Sequence, residues 1–274
     1  MGKRPVLGIT MGDPFGTGPE LTVRALANPA VFERCRPFVI GDMSSMDHAL
    51  KILKKVSGID LKLNRIERIS EARFSYGTID VLDMGLVPAD RIPDTLNGEK
   101  PMPYNVGACP LGGEAAFQYV RKAIYLALGN EIDAVVTNAI SKEAINMAGH
   151  HYPGHTEIFA KFTGTDKYSM MLAHDNLRVV HVSTHVSLRE ACDLVKKDRV
   201  LDCIRIAHQA CRSIGIKNPK IGVAGLNPHC GENGLFGREE IEEIQPAIDE
   251  AVSEGINIPD MKPVSPDTIF SKAL

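Results

Sequence analysis

The chain has 274 residues, 44% of them hydrophobic and 24% charged, the proportions of an ordinary globular protein with room for one large domain or two smaller ones. Its formal net charge of −3 gives no electrostatic reason to expect nucleic acid as a partner, and no apolar run reaches the roughly 18 residues that a membrane span needs. Six cysteines (35, 109, 192, 203, 211 and 230) are scattered without a CxxC pair, which predicts reduced thiols and a cytoplasmic protein.

The opening "MGKRPVLGITMGDP" has the basic start of a signal peptide, but its apolar stretch is short and runs into Asp13 and Pro14. It reads instead as a first core strand over 5–10. A helix is expected over 19–32, with Pro19 in its first turn and Asn28-Pro29 at its end. A strand over 36–42 and a helix over 44–56 follow. Periodicity weakens from about 59 to 100, where "GTIDVLDMG" is the one expected strand. A long helix is expected over 110–129, closed by Gly129, and then a buried strand over 132–140. "YSMMLAHDNLRVVHVST" (168–184) reads as two strands joined by a turn at Asp175-Asn176. Residues 187–214 contain a helix, "KIGVAGLNPH" is a strand running into a loop, and 238–254 is a helix. Strands alternating with helices predict an α/β fold with a largely parallel sheet. The 168–184 hairpin adds an antiparallel portion, and no Gly/Ser linker divides the chain, which points to interwoven subdomains.

Four stretches carry side chains suited to chemistry. "GDPFGTGPE" (12–20) joins a strand to a helix. Its glycines leave backbone N–H groups free at a helix start, where an anion or nucleotide can sit; Asp13, Gly16 and Gly18 are the candidate cofactor-binding residues. The spacing is not GxGxxG, and a strained turn capped by Asp13 accounts for it equally well. "PGHTEIFAKFTG" (153–164) puts His155 and Thr156 at a helix N-terminus, as donors to a phosphate or carboxylate or as a plain cap. "VVHVSTHVSLRE" (179–190) holds His181, a core residue between valines, and His185 just past the strand end. "NPHCGENGLFG" (227–237) places His229 likewise, beside Cys230. Sites gather at the carboxyl ends of strands in α/β sheets, so His185 and His229 could share one divalent cation through neutral imidazoles.

Taken together, "GDPFGTGPE", "TNAISKEAINMAG", "PGHTEIFA", "STHVSLRE", "LNPHCGENGLFG" and "PDTIF" closely resemble the 4-hydroxythreonine-4-phosphate dehydrogenase family of vitamin B6 biosynthesis. A similar branch of it acts on D-threonate 4-phosphate or D-erythronate 4-phosphate, and "TNAISKEAIN" and "PLGGEAAFQYVRKAI" lean toward that branch. The resemblance implies an isocitrate/isopropylmalate dehydrogenase-like three-layer α/β/α fold, a homodimer with its active site at the subunit interface, a divalent metal (Zn, Mg, Mn or Co), and NAD or NADP. It implies that His185 and His229 bind the metal and that His155 and Thr156 bind the phosphorylated substrate. Lys142 stands at the family's lysine position and is a candidate for proton transfer; a surface helix lysine is the other reading. Asp267, in "PDTIF", is expected near the metal or its waters. The reaction implied is oxidation of a phosphorylated 3-hydroxy acid followed by decarboxylation. From a threonate phosphate this gives dihydroxyacetone phosphate; from 4-hydroxythreonine 4-phosphate it gives an aminooxopropyl phosphate. Family members continue past "PDTIF" to a third metal histidine in a "YHDQG" motif. Its absence implies that the chain lacks its C-terminal segment, or else that it is a non-catalytic ligand-binding homologue.

Overall fold

The computed structural model describes residues 4–92 and 107–273; the end of the weakly periodic stretch, 93–100, lies outside the described residues. The chain divides into two compact units, residues 1–165 and 166–274. Each is one continuous segment.

In the first unit, β1 (Val6–Thr10) leads into α1 (Gly18–Leu26) and α2 (Pro29–Arg34). One helix was expected here. Pro29 instead opens a second one, capped by Asn28, whose Oδ1 accepts the Ala30 N–H at 3.0 Å; proline at a first turn starts a helix as readily as proline further in ends one. β2 (Arg36–Gly41), α3 (Met43–Ser57), β3 (Lys62–Ile66) and β4 (Thr78–Asp83) follow. The sequence reading missed β3, because "KLNRI" is a polar edge strand without the apolar alternation that betrays a half-buried one. α4 (Pro110–Leu128), β5 (Ala134–Thr137), α5 (Lys142–Met147) and α6 (His155–Thr163) complete the unit.

The sheet order is β3-β4-β2-β1-β5, with every pairing parallel. The chain steps from β1 through β2 to β3 in one direction and back through β4 to β5 in the other, and parallel crossovers of this kind are right-handed as a rule. The two directions therefore place α1 to α3 on one face and α4 on the opposite face. Phe38, Val39, Ile40, Ile79, Val81, Val23, Leu26 and Tyr119 form the core between them. β5 is an edge strand, so Ala134, Val136 and Thr137 are exposed rather than buried as expected.

The second unit has the expected hairpin, β6 (Met171–His174) with β7 (Leu177–Val180), antiparallel around Asp175 at φ +45°. α7 (Leu188–Asp193) and α8 (Lys197–Ser213) follow, then α9 (Gln245–Ser253) and α10 (Pro266–Ala273). Immediately before α9, Glu240–Ile244 form a π turn. Pro246 cannot donate to the turn before it, which suits such a widening. The core joins α8 and α9 through Val200, Leu201, Ile204, Ala247, Ile248 and Ala251. "KIGVAG" was expected to be a strand. It is extended chain tied by one bridge, Ala224 to Val264, with Gly225 N–H donating to the Val264 carbonyl at 2.9 Å.

Candidate active site

The loops after β1 and β5 meet at the carboxyl end of the sheet, next to the point where the strand order reverses. The Asp13 N–H donates to the Ala139 carbonyl at 3.0 Å. Asn138 Nδ2 donates to the Thr10 carbonyl (3.0 Å) and to Thr22 Oγ1 (2.8 Å). Such a crevice is where ligands bind in open α/β sheets.

Asp13, Gly16 and Gly18 lie here, but they do not fit an anion cradle. The Phe15 N–H already donates to Asp13 Oδ1 (3.0 Å) and the Gly16 N–H to the Asp13 carbonyl (2.9 Å). A Cβ on Gly18 would stand 2.0 Å from the Met11 carbonyl oxygen. That glycine therefore admits the chain's own backbone rather than a ligand. Asp13 is buried, and burial lifts its carboxyl above the ordinary aspartate value against the opposing bond from Phe15. A carboxyl in that position would repel a pyrophosphate. The two bonds to Asp13 close a tight turn here.

α5 begins at Lys142, with Ser141 as its cap; Ser141 Oγ accepts the Ala144 N–H at 3.1 Å. Lys142 is exposed. α5 lies close against α4 because Gly113 has no side chain: a Cβ there would stand 1.9 Å from the Ala144 carbonyl oxygen.

α6 begins at His155 and Thr156, after an extended Gly154. The His155 ring is half-buried, and its Nε2 is buried with no hydrogen-bond partner. Burial pushes the imidazole pKa down, which keeps the ring neutral near pH 7, with one N–H to give. A buried polar atom without a partner costs stability unless a ligand completes it. The helix N-terminus beside it favours an anion.

In the second unit His185 and His229 both have left-handed backbone, at φ +59° and +51°. His229 opens a run of left-handed residues through Asn233. Such conformations in non-glycine residues are costly and are found where function demands them. Glu240, almost fully buried, holds the run in place. Its Oε1 accepts the N–H groups of Leu226 and Asn227, both at 2.7 Å, and its Oε2 accepts Asn227 Nδ2 at 2.9 Å. His229 Nδ1 lies 3.6 Å from Asp267 Oδ2. Two ligands at about 2.1 Å from one tetrahedral ion stand about 3.4 Å apart, so this pair fits two donors of a divalent metal. His185 does not complete a triad with them: among the described residues no three His, Cys, Asp or Glu side chains converge on one point. The side chain that stands beside His229 is that of Asp267. β7 ends at Val180, before His185, and the chain before His229 carries one isolated bridge, Ala224 to Val264.

Three further residues escaped the sequence reading. Glu240 is hidden in the acidic run "REEIEE", where nothing marks which carboxylate turns inward. Glu114 and His150 form a pair, with Nε2 to Oε2 at 2.6 Å. Glu114 is the one acidic residue of α4, and that was the available signal. An open cleft of about 810 Å³ between α3 and the ends of β2 and β4, lined in part by Asp42, Ser44, Lys62 and Asp83, contains none of the motif residues.

These features define a protein of the α/β class, built on a parallel sheet with its first-unit candidate groups at or beyond the carboxyl end. The chain belongs to the family described as "Pyridoxal phosphate biosynthetic protein PdxA", whose model matches residues 33–274. It is 42% identical over 270 residues to the D-threonate 4-phosphate dehydrogenase of Cupriavidus necator, covering 98% of this chain and 76% of that protein. It is similar to the crystal structure of a 4-hydroxythreonine-4-phosphate dehydrogenase from Burkholderia phymatum, with TM-score 0.84 and 41% identity over 99% of this chain and 77% of that one. The enzyme of the same name from Klebsiella pneumoniae gives TM-score 0.86 and 35% identity, covering 98% of this chain and 76% of that one.

Proposed function

We propose that the protein is a metal- and NAD(P)-dependent dehydrogenase that oxidises a phosphorylated 3-hydroxy acid, D-threonate 4-phosphate or a close analogue, with loss of CO₂ to give dihydroxyacetone phosphate. The observation that carries this reading is the partnerless, buried Nε2 of His155 at the start of α6, in a chain whose relatives are named for phosphorylated substrates. His155 and Thr156 receive the phosphate at the α6 N-terminus, where the helix dipole adds to their hydrogen bonds. His229 and Asp267 supply two donors for the metal, with His185 as a candidate further donor. When bound, a divalent ion supplies Lewis acidity to a hydroxyl and to the enolate left by decarboxylation. Lys142, exposed at the start of α5, is the candidate to hold or pass a proton near the reacting carbons. NAD or NADP accepts the hydride; no residue is assigned to it, because the 12–18 loop does not suit its pyrophosphate. The remaining elements of the reading are an isocitrate/isopropylmalate dehydrogenase-like fold, a homodimer with the site at its interface, and a cytoplasmic location. No described helix is long and apolar enough to cross a membrane.

A second reading, action on 4-hydroxythreonine 4-phosphate, is favoured by the names of the similar structures. One panel separates the two. NAD(P)H formation is followed with D-threonate 4-phosphate, D-erythronate 4-phosphate, 4-hydroxythreonine 4-phosphate and unphosphorylated D-threonate, each with added Zn²⁺. The first reading expects the highest kcat/KM with a sugar-acid phosphate and a far lower one with D-threonate. Preference for 4-hydroxythreonine 4-phosphate would move the protein to the second, and equal use of D-threonate would remove the phosphate site from the account.

A further inference from the structure

The α6 N-terminus is held from outside by a group of side chains to which the catalytic reading gives no role. α5 ends with Gly149 at φ +88°. The Gly149 N–H donates to the Asn146 carbonyl at 2.9 Å and the His150 N–H to the Ile145 carbonyl at 3.0 Å. This paired closure is a Schellman cap, and it fixes the direction in which the chain leaves the helix. It delivers the His150 ring onto α4. The ring stacks on Phe117, centroids 3.6 Å apart and planes 14° apart. Its Nε2 lies 2.6 Å from Glu114 Oε2, three residues before Phe117 and so on the same face of α4.

Glu114 is itself oriented. Gln118, one turn further along α4, donates to its Oε1 at 2.5 Å. Burial raises the carboxyl pKa, yet the bonds from Gln118 and His150, with the positive charges of His150 and Arg121, outweigh it, and the carboxyl sits below the ordinary glutamate value. Two residues beyond His150 the Tyr152 ring also stacks near Phe117, centroids 5.9 Å apart and planes 17° apart. Pro153 and Gly154 then lead directly into His155. Between the end of α5 and the start of α6 the chain is thus fastened to one helix by an imidazole–carboxylate bond and two ring contacts. Surface loops of this length usually have no such fixings.

We infer that Glu114 and His150 are positioning residues for the phosphate subsite: they set the placement of His155 and Thr156 without touching the ligand themselves. The inference rests on the reading of His155 and Thr156 as the phosphate-binding residues. A hydrogen bond to phosphate gains strength only if its donor is already in place when the ligand arrives, and the staple removes the freedom of the segment that carries the donor.

Calorimetric titration of the whole chain with inorganic phosphate and with D-threonate 4-phosphate tests this, using Zn²⁺ titration as an independent readout. His150→Phe keeps a ring for the stack and removes the nitrogen. Both phosphate ligands should bind about tenfold more weakly, the scale of one lost charge-assisted hydrogen bond, with Zn²⁺ affinity unchanged. His150→Gln, which restores an N–H toward Glu114, should recover most of the loss, and Glu114→Met, which keeps the chain length and removes the acceptor, provides the same test from the α4 side should the Phe variant misfold. Unchanged phosphate affinity in a folded His150→Phe, or equal loss of phosphate and Zn²⁺ binding, would overturn the inference. His155→Ala serves as the control: if that variant binds phosphate as the unsubstituted protein does, the subsite reading itself fails, whereas loss there without loss at His150 defeats the staple alone.

Discussion

Replacing Glu240 with alanine is the sharpest perturbation of the His229 loop that leaves the proposed metal donors untouched. Glu240 is 4% exposed, and its carboxylate takes three hydrogen bonds, two from backbone N–H groups and one from Asn227 Nδ2. A hydrogen bond to a charged group is worth about 1.5–3 kcal/mol. The loop is half-exposed, so water can re-solvate part of what is lost. The left-handed run it supports contains four non-glycine residues, His229, Cys230, Glu232 and Asn233, each less favourable than ordinary backbone by about 1–2 kcal/mol. Losing the anchor should therefore release the loop rather than merely weaken it. Glu240→Ala is expected to destabilise the second unit by about 3–5 kcal/mol and to weaken Zn²⁺ or Co²⁺ binding by about 10- to 100-fold, the range for losing an outer-shell support. Glu240→Gln keeps an oxygen for both backbone donors and loses only the charge and the Asn227 bond; it should fall between. Urea denaturation gives the first quantity and calorimetric metal titration the second. An alanine variant of unchanged stability that bound metal as well as the parent would refute the anchoring role.

Gly113→Ala should destabilise the first unit by at least about 3 kcal/mol, because its Cβ would meet the Ala144 carbonyl at 1.9 Å; thermal unfolding measures this, and a loss below about 1 kcal/mol would show that α4 and α5 can part freely. Asp13 sets a pH dependence. Its folded-state pKa is raised by burial above 3.8, so between that value and the raised one the folded chain binds more protons than the unfolded chain. The burden on stability is present above the raised pKa and is relieved as pH falls through it. Asp13→Asn should be relatively more stable than the parent at neutral pH, and its advantage should shrink as pH falls toward the carboxylate range. A constant difference in unfolding temperature across that range would contradict the burial argument.

The first unit was largely legible in the sequence because its strands are short apolar runs set between capped helices. The parallel class followed from that alternation, and Asn28, Gly129 and the Asp175-Asn176 turn all mark real boundaries, though Pro29 divided one expected helix into two. The misreadings share a cause. "KLNRI" is too polar to announce a strand and pairs only because β4 lies beside it, while the apolar "KIGVAG" announces one and finds a single bridge; neighbours are not local information. The candidate site divides in the same way. His155, Thr156 and Asp267 stand out through their motifs; the structure places the first two at the start of α6 and Asp267 beside His229. Asp13, Gly16 and Gly18 share the same kind of signal, and local pattern alone does not separate a ligand loop from a tight turn, since glycine admits a ligand's approach and the chain's own backbone with equal ease. The pairing of Glu114 with His150 and the inward turn of Glu240 were not legible: each depends on a partner in another element that only folding brings near.

The central claim is a divalent metal held at His229 and required for oxidation of a phosphorylated hydroxy acid. The most direct measurement is NAD(P)H formation from D-threonate 4-phosphate by chelator-stripped protein, before and after Zn²⁺ is restored, with His229→Ala alongside. The account predicts turnover that disappears with the metal, returns with it, and does not return in the folded alanine variant. Equal turnover in the stripped protein or in His229→Ala would contradict it.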